Sequence, residues 1–342
     1  MPSSKGASRS KVLLLGDIEH AQSSWEAIGE IATVLTPKST SRVDFIQEAS
    51  SGAFDGCVAA YRTFDSFEVT GKIDAELLQA LPDSLRFICH NGAGYDQVDV
   101  QACTARNIRV SNTPTAVDDA TADMGIFLLL GALRNIAVGM ASLRVGEWRG
   151  KALPALGHDP QGKILGILGM GGIGRNMARK ALAFGMKIRY HNRTRLAPDV
   201  EKGIDAEYVG FDTLLAESDV ISLNLPLNPK TRHIISRNEL SKMKAGVVIV
   251  NTARGAVIDE AALVEALDSG HVSSAGLDVY ENEPEIHPGL LANPRVLLVP
   301  HMGTFTVETE TKMEEWAISN VRMAVESGRL RSIVPEQKSM DM

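Results

Sequence analysis

Short apolar runs alternate with amphipathic stretches along the first 112 residues of the chain. Each apolar run ends in turn residues, and each amphipathic stretch has the spacing of a helix. This alternation is typical of βαβ units and predicts a parallel sheet. The predicted strands are KVLLLGD (11–17), FDGCVAA (54–60), LRFICHNG (85–92) and IRVSN (108–112), and the predicted helices include VDFIQEASSG (43–52) and DAELLQALP (74–82).

A long helical pattern follows over residues 118–147, and its apolar side chains cover nearly all sides. We expect this helix to be buried, either within its own chain or against another subunit. After a loop at 149–163, a second alternating series begins and predicts a doubly wound nucleotide-binding domain with six parallel strands. Its predicted strands are 163–169, 187–191, 220–225, 247–251, 273–278 and 296–299, with helices at 173–184, 211–217, 236–244 and 259–268.

The order of these patterns defines the expected domain organisation. A last amphipathic helix at 307–327 is predicted to return to the first domain. The predicted fold class is therefore α/β, with a parallel-sheet domain and a doubly wound nucleotide-binding domain. Residues 1–113 and 306–342 form the predicted substrate domain, and residues 114–305 form the dinucleotide-binding domain, including the long helix.

Composition narrows the class of protein. A length of 342 residues suits two domains, and 44% hydrophobic with 23% charged residues is typical of a globular enzyme. No apolar run approaches the roughly 20 residues that cross a bilayer, and a net charge of −7 argues against a broadly basic nucleic-acid surface. Three sparse cysteines without metal-ligand spacing fit a reducing compartment. We expect a cytoplasmic protein with no metal, membrane or nucleic-acid partner.

The glycine run of KILGILGMGGIGRNMARKALAFG (163–185) follows a predicted strand and opens a predicted helix. Gly169, Gly171 and Gly174 satisfy the G-x-G-x-x-G spacing of a dinucleotide site. The first glycine permits a tight turn, the second lets the backbone approach a pyrophosphate, and the third lets helix and strand pack closely. The N-terminal amides of the helix would then face the anion.

The segment KIRYHNRT (187–194) contains the next predicted strand and the turn after it. In an NAD-binding unit, a carboxylate here accepts hydrogen bonds from the ribose hydroxyls and repels a 2′-phosphate. This chain instead has Asn192, Arg193 and Thr194. Since guanidinium pairs well with phosphate, the sequence favours NADP(H), with NAD(H) as the second choice. In the alternative interpretation, Arg193 is a solvated turn residue and Asn192 holds the ribose of NAD.

Three residues of complementary chemistry follow the last three predicted strands: Arg254, Glu283 and His301. Because ligands bind outside the carboxyl ends of parallel strands, we expect these side chains to converge beside the cofactor. Arginine binds a carboxylate through two hydrogen bonds, and histidine exchanges protons near neutrality. A carboxylate beside the histidine fixes its tautomer and favours its protonated form. With a hydride carrier, this set describes reduction of a 2-oxo acid, although each residue alone would be ordinary in a loop.

The motifs GMGGIG, NTARG, GLDVYENEP and PHMG resemble the successive motifs of the D-isomer-specific 2-hydroxyacid dehydrogenases. The resemblance extends from HNGAGYDQVD (90–99) to the C-terminal helix. Within this family the chain is similar to glyoxylate/hydroxypyruvate reductases and to D-mandelate dehydrogenase-like enzymes. The resemblance implies two Rossmann-like domains around a cleft and a homodimer formed through the helical region at 118–147.

The resemblance also implies roles for individual residues. Arg254 would bind and polarise the 2-oxo acid, His301 would be the general acid/base, and Glu283 would be its partner. The backbone amides of Ala93 and Gly94 would bind the substrate carboxylate. The cofactor would contact Gly169, Gly171, Gly172, Ile173, Gly174, Asn192, Arg193, Thr194, Pro226, Thr231, Thr252, Ala253, Asp278 and Gly303.

The chain departs from the family pattern near the expected pocket. Thr304 and Phe305 stand where the family often has a Ser-Ala pair. Tyr61, Arg62 and Phe305 are expected either to shape the substrate pocket or to serve only in packing. We therefore expect an NADP(H)-preferring enzyme that reduces glyoxylate, hydroxypyruvate or aryl-glyoxylate to D-2-hydroxy acids. Alternatives are a related dehydrogenase of phosphoglycerate, formate or phosphite, and a nucleotide-sensing, corepressor-like binding protein of the same fold.

Overall fold

The structure is a computed structural model that describes residues 9–148 and 155–340. Its chain divides into two compact units, the first extending to Val117 and resuming at Thr306, and the second comprising Asp118–Phe305. The first boundary therefore falls between residues 117 and 118, where the sequence suggests one between 113 and 114. The second falls between residues 305 and 306.

The helices and strands are numbered in chain order. The strands are β1 (Lys11–Leu15), β2 (Thr33–Leu35), β3 (Cys57–Arg62), β4 (Phe87–His90), β5 (Arg109–Ser111), β6 (Ile164–Leu168), β7 (Lys187–His191), β8 (Ala206–Tyr208), β9 (Val220–Leu223), β10 (Val247–Asn251), β11 (Val272–Leu277) and β12 (Val296–Leu298). The α-helices are α1 (Gln22–Glu26), α2 (Ile28–Ile31), α3 (Arg42–Ser50), α4 (Phe67–Thr70), α5 (Ala75–Ala80), α6 (Val100–Ala105), α7 (Asp118–Leu133), α8 (Ile136–Arg144), α9 (Gly172–Ala183), α10 (Pro198–Gly203), α11 (Phe211–Glu217), α12 (Arg237–Lys242), α13 (Glu260–Asp268), α14 (Pro288–Ala292) and α15 (Val307–Ser327).

The first unit contains a parallel sheet with the strand order β2-β1-β3-β4-β5 among the described residues. Alternate side chains of β1 enter different apolar clusters, because successive residues of a strand point to opposite faces. Leu13 joins the cluster with α3 and α5, and Val12 joins the cluster with α15. Helix α15 packs against β3 and β4, as its amphipathic pattern predicts.

The second unit contains a parallel sheet with the order β12-β11-β10-β9-β6-β7-β8 over its described residues. Read from β8, this is the doubly wound order, in which the direction of strand addition reverses between β6 and β9. Apolar clusters cover both faces: Ile249 belongs to one and its neighbour Val250 to the other. The carboxyl ends of β6 and β9 therefore define the switch point at which such sheets bind ligands.

The strand count predicted for the second domain is wrong. In the described residues its sheet has seven strands rather than six, because β8 pairs with β7 at the sheet edge. The sequence of β8 is only Ala-Glu-Tyr, too short for a recognisable apolar run. Strand β2 in the first unit was missed for the same reason, since it is also three residues long and sits at an edge.

The prediction of a single long helix over 118–147 is also wrong. The structure has two helices there, α7 and α8, whose axes differ by 80°. The break occurs at Asn135, which has a φ of 51°, a left-handed conformation that asparagine tolerates better than most residues. The burial differs accordingly, because α7 lies in the core while α8 contains no buried residue.

No single helix in the described ranges is long and apolar enough to cross a membrane. Together, the bent pair α7 and α8 has the length and apolar composition of a membrane span, but only length and composition support that possibility. The three cysteines, Cys57, Cys89 and Cys103, are free and buried. Burial raises the pKa of each thiol, to about 11 for Cys57 and to about 12 for the other two. These cysteines are therefore unreactive interior residues.

Candidate active site

The glycine turn after β6 has the geometry that the sequence predicts. Gly169 has a φ of +101°, a conformation that favours glycine, and a Cβ there would collide with the carbonyl oxygen of Asn224. A Cβ on Gly174 would collide with the carbonyl oxygen of Gly169, so helix and strand approach closely. At Gly171 a Cβ would meet nothing within 4 Å, which leaves open space beside the turn.

The N-terminus of α9 is suited to an anion. Gly171 is its N-cap and makes no side-chain capping bond in the structure. Gly172 and Ile173 begin the first turn, and a Cβ on Gly172 would collide with the carboxylate of Asp118. The first amides of a helix without a capping side chain need an external acceptor, and the helix dipole favours a negative one. This turn therefore fits the pyrophosphate of a dinucleotide.

The end of β7 is tied to the glycine turn. The Asn192 side-chain oxygen accepts a hydrogen bond from the Met170 amide at 2.7 Å, and the carbonyl of His191 accepts one from Gly169 at 3.0 Å. Tyr208 donates to the carbonyl of Asn192 at 3.2 Å. Asn192 therefore uses its oxygen to shape the turn, a structural role that its sequence position did not reveal.

Arg193 and Thr194 are exposed at the tip beyond Asn192. The arginines on either side are engaged elsewhere: Arg189 pairs with Glu207 at 3.0 Å, and Arg195 pairs with Glu201 at 2.8 Å. Arg193 makes no ion pair with an acidic side chain in the part of the chain that the structure describes. Unlike Arg189 and Arg195, Arg193 could therefore pair with an anionic group of a ligand.

Two neighbouring strand ends offer polar atoms that lack a protein partner. The hydroxyl of Thr252 after β10 and the side-chain oxygen of Asn224 after β9 are buried and make no hydrogen bond within the described residues. Buried polar atoms are normally satisfied, so such atoms suggest a missing polar ligand. Nearby, the Thr231 hydroxyl donates to the carbonyl of Pro226 at 2.6 Å and closes the loop after β9. Pro226, Thr231 and Thr252 fit the cofactor role that the family resemblance implies, whereas the sequence did not indicate Asn224.

The turn after β10 presents Arg254. The Asn251 side chain accepts from the Ala253 amide at 3.0 Å and donates to the Arg254 carbonyl at 2.8 Å, which fixes the turn. A Cβ on Gly255 would collide with the backbone of Tyr280. Glycine therefore allows the loops after β10 and β11 to touch, and these loops carry Arg254 and Glu283.

His301 and Glu283 form a close pair. Nδ1 of His301 lies 2.7 Å from a Glu283 carboxylate oxygen, and the other oxygen accepts from the Tyr280 amide at 2.8 Å. Burial alone would raise the pKa of Glu283, but the hydrogen bond and charge of His301 outweigh it and the net pKa is lowered. An ionised carboxylate only accepts, so Nδ1 of His301 carries the proton.

Asp278 holds the backbone that carries His301. Its carbonyl accepts from the His301 amide at 2.8 Å, and its carboxylate accepts from the Met302 amide at 2.5 Å. His301 has a φ of 53°, a strained conformation for a side-chain-bearing residue that the surroundings must maintain. Burial raises the pKa of Asp278, and the amides of Met302 and Gly303 oppose that rise. The positioning role of Asp278 was not visible in the sequence.

The glycine loop of the first unit, residues 91–95 after β4, turns its backbone carbonyls toward the interior of that unit. The carbonyl of Gly92 accepts from the Thr113 amide at 2.9 Å, and that of Ala93 accepts from the Asn112 side chain at 2.8 Å. In a trans peptide the carbonyl and the following amide point in opposite directions. The amides of Ala93 and Gly94 therefore point away from these bonds, as a carboxylate-binding loop requires.

The two aromatic candidates occupy different environments. Tyr61 is fully buried in the first unit, where its ring packs 5.2 Å from that of Trp25. This burial favours the packing alternative for Tyr61. Phe305 is 72% exposed and remains a candidate for substrate contact.

The doubly wound sheet, the uncapped glycine turn and the Arg-Glu-His set define a dinucleotide-dependent dehydrogenase. Residues 126–303 match the family described as D-isomer specific 2-hydroxyacid dehydrogenase, NAD binding domain. The chain belongs to this family and is an NAD(P)-dependent oxidoreductase that acts on 2-oxo or 2-hydroxy acids. The resemblance seen in the sequence motifs is confirmed.

Relatives and solved structures agree with this family. The 4-methyl-2-oxopentanoate reductase A of Aspergillus oryzae is 58% identical over 328 residues, covering 96% of this chain and 98% of that protein. A glyoxylate reductase structure from Paecilomyes thermophila has a TM-score of 0.93 and 56% identity, covering 97% of this chain and 100% of its own. The holo D-mandelate dehydrogenase of Rhodotorula graminis has a TM-score of 0.89 and 31% identity, covering 96% and 98%.

Proposed function

We propose that this chain reduces small 2-oxo acids of the glyoxylate, hydroxypyruvate or aryl-glyoxylate type to D-2-hydroxy acids, with a preference for NADP(H). The observation that carries the proposal is the His301–Glu283 pair, with its 2.7 Å contact, on loops that adjoin Arg254. Each member of the trio supplies a function that reduction of a 2-oxo acid needs: carboxylate binding, proton donation and stabilisation of charge.

The roles of the trio follow from their atoms. Arg254 binds the substrate carboxylate through two parallel hydrogen bonds and draws electron density from the adjacent carbonyl. His301 donates the proton on Nε2 to the carbonyl oxygen as that oxygen gains charge. Glu283 accepts from Nδ1, so it keeps the ring oriented and stabilises its cationic form. When bound, a reduced nicotinamide would supply the hydride.

The cofactor residues divide by the part of the dinucleotide that they would hold. The glycine turn, Gly169 to Gly174, would hold the pyrophosphate through backbone amides. Arg193 and Thr194 would hold the 2′-phosphate. The residues proposed to border the nicotinamide half are Pro226, Thr231, Thr252, Ala253, Asp278 and Gly303.

A substrate panel tests this proposal. The purified protein is incubated with NADPH or NADH and with glyoxylate, hydroxypyruvate, phenylglyoxylate or 4-methyl-2-oxopentanoate, and absorbance is followed at the nicotinamide band. We expect turnover of at least one acid, faster with NADPH than with NADH at equal low concentration. Cofactor binding without turnover of any acid would contradict the proposal and support the nucleotide-sensing alternative.

The Arg193→Ala variant tests the cofactor preference. We expect the KM for NADPH to rise about 10- to 100-fold, because a charge-assisted contact to phosphate contributes about 1.5–3 kcal/mol. The KM for NADH should stay within about twofold, since its ribose carries no 2′-phosphate. Arg179→Ala removes another exposed cation of the same unit and serves as the control. Equal shifts for both cofactors would show that Arg193 is only a turn residue.

We also propose that the chain forms a homodimer through α8 and the residues after it. This short segment exposes several large apolar side chains, a pattern typical of an association surface. They are Ile136 (41% exposed), Met140 (43%), Leu143 (58%), Val145 (73%) and Trp148 (78%). A buried charge in such a surface is costly, so we expect variants in it to dissociate the dimer.

The dimer is tested by the double variant Met140→Asp, Leu143→Asp in light scattering after size exclusion. The unaltered protein should have twice the chain mass of 36.8 kDa, and the double variant should have the mass of one chain. Leu291→Asp changes another exposed leucine, on α14, and should leave the mass at twice the chain value. A monomeric unaltered protein, or a double variant that stays dimeric, would contradict the assignment of this surface.

A further inference from the structure

A buried arginine lies beneath the glycine loop of the first unit. Arg62, the last residue of β3, is 0% exposed. Its guanidinium donates to the Gln97 side chain at 2.6 Å and lies 3.1 Å from Nδ1 of His90. Burial lowers the pKa of Arg62 to about 10, and the charge of Asp96 opposes this, so Arg62 remains cationic at neutral pH. A buried cation is costly unless it is hydrogen-bonded, so the contacts of Arg62 with Gln97 and His90 are needed to keep it in the interior.

The Arg62 contact determines the tautomer of His90. A guanidinium has no acceptor, so Nδ1 of His90 must accept from it and carries no proton. The proton is therefore on Nε2, which lies 2.9 Å from the carbonyl oxygen of Gly94. That carbonyl can only accept, so the two contacts agree on one direction: Arg62 donates to His90, and His90 donates to Gly94.

The hydrogen bonds from Arg62 through His90 to Gly94 complete the anchoring of the loop at residues 91–95. The carbonyls of Gly92 and Ala93 are held by Thr113 and Asn112, and His90 holds the next one. Successive inward carbonyls turn the intervening amides outward, which produces a concave anion site. A Cβ on Gly92 would stand 2.6 Å from Nε2 of His90, so the loop closes directly over the imidazole.

We propose that Arg62 and His90 are positioning residues that hold the amides of loop 91–95 in the geometry that binds the substrate carboxylate. The proposal rests on the proposed function, because it assigns these amides to a 2-oxo acid. The two residues act on the loop in different ways. His90 fixes the direction of the Gly94 peptide, and the buried charge of Arg62 polarises the donor chain in a low-dielectric interior. Neither residue needs to touch the substrate.

The principal test compares His90→Phe with His90→Gln. Phenylalanine keeps a planar ring but has no donor for Gly94, so we expect the KM for the best 2-oxo acid of the panel to rise about 10- to 100-fold. The KM for NADPH should stay within about twofold, because the loop lies outside the nucleotide-binding unit. Glutamine places an amide nitrogen near the Nε2 position, so it should restore the KM to within about fivefold of the unaltered protein.

If His90→Phe does not fold, a second variant, Arg62→Lys, still tests the proposal. Arg62→Lys retains the buried cation but replaces the planar fork with one nitrogen, so we expect an intermediate KM. Phe45→Leu is the matched control for stability, since Phe45 is a fully buried residue of the same unit on α3. It should lower the melting temperature without changing the KM for the 2-oxo acid.

Two further measurements do not depend on turnover. The dissociation constant of oxalate, a dicarboxylate that cannot be reduced, should rise in parallel with KM. Hydrogen exchange at the amides of residues 92–95 should be faster in His90→Phe than in Phe45→Leu. A His90→Phe protein with unchanged KM and unchanged exchange would overturn the inference. So would a KM increase that Phe45→Leu reproduces. If the unaltered protein reduces no 2-oxo acid, the proposed function fails, and the exchange comparison still decides whether His90 orders the loop.

Discussion

Replacing His301 with asparagine is expected to lower kcat for 2-oxo acid reduction by about 100-fold or more, the usual worth of a positioned acid/base. Asparagine preserves a polar side chain but cannot exchange a proton at neutral pH. The KM for NADPH should change by less than about twofold, since the loss concerns a transition-state interaction. The measurement is steady-state reduction with the best acid of the panel at saturating NADPH.

Two other variants serve as a comparison and a control for His301→Asn. Glu283→Gln should reduce kcat by a smaller factor, about tenfold, because Nδ1 of His301 keeps a hydrogen-bond acceptor but loses the negative charge that stabilises the imidazolium. His158→Asn changes an exposed histidine in the loop before β6 and should leave kcat unaltered. If His301→Asn retains the kcat of His158→Asn, His301 is not the acid/base and the assignment is wrong.

Replacing Arg254 with methionine is expected to reduce kcat/KM for 2-oxo acids by about 10²- to 10⁴-fold. The guanidinium would form two charge-assisted hydrogen bonds to the carboxylate, each worth about 1.5–3 kcal/mol. Arg254→Lys should recover only part of this loss, because an ammonium cannot form the parallel pair. Steady-state kinetics with glyoxylate and phenylglyoxylate measure both variants.

The matched control for Arg254 is Arg237→Met, which removes an arginine paired with Glu265 on an exposed surface of the same unit. Its kcat/KM should equal that of the unaltered protein. Free guanidinium added to Arg254→Met should restore part of the activity if the lost cation bound the substrate. Equal activity of Arg254→Met and Arg237→Met would show that Arg254 does not bind the carboxylate.

The convergence of Arg254, Glu283 and His301 was predictable because it follows from topology alone. Each residue comes a few positions after a strand, and parallel strands end at one edge of a sheet. The contact of Glu283 with His301 at 2.7 Å agrees with that reasoning. Local glycine patterns were equally informative, because Gly169 and Gly174 serve steric needs that only glycine meets.

What the sequence could not show are the residues that support the site from a distance. Asp278 holds the strained His301 through backbone amides, and such a partner is recognised only when the coordinates are known. Arg62 and His90 are 28 positions apart, and they meet because β3 and β4 are neighbours in register. The break at Asn135 was missed because one left-handed residue does not disturb the apolar pattern around it.

Isotope transfer tests directly whether this site moves hydride to C2 of a 2-oxo acid. The protein is incubated with NADPH carrying deuterium at both C4 positions of the nicotinamide and with the prochiral acid that the panel identifies. The product is analysed by mass spectrometry and chiral chromatography. We expect one deuterium at C2 and the D configuration. Product without deuterium at C2, or with the L configuration, would contradict this expectation.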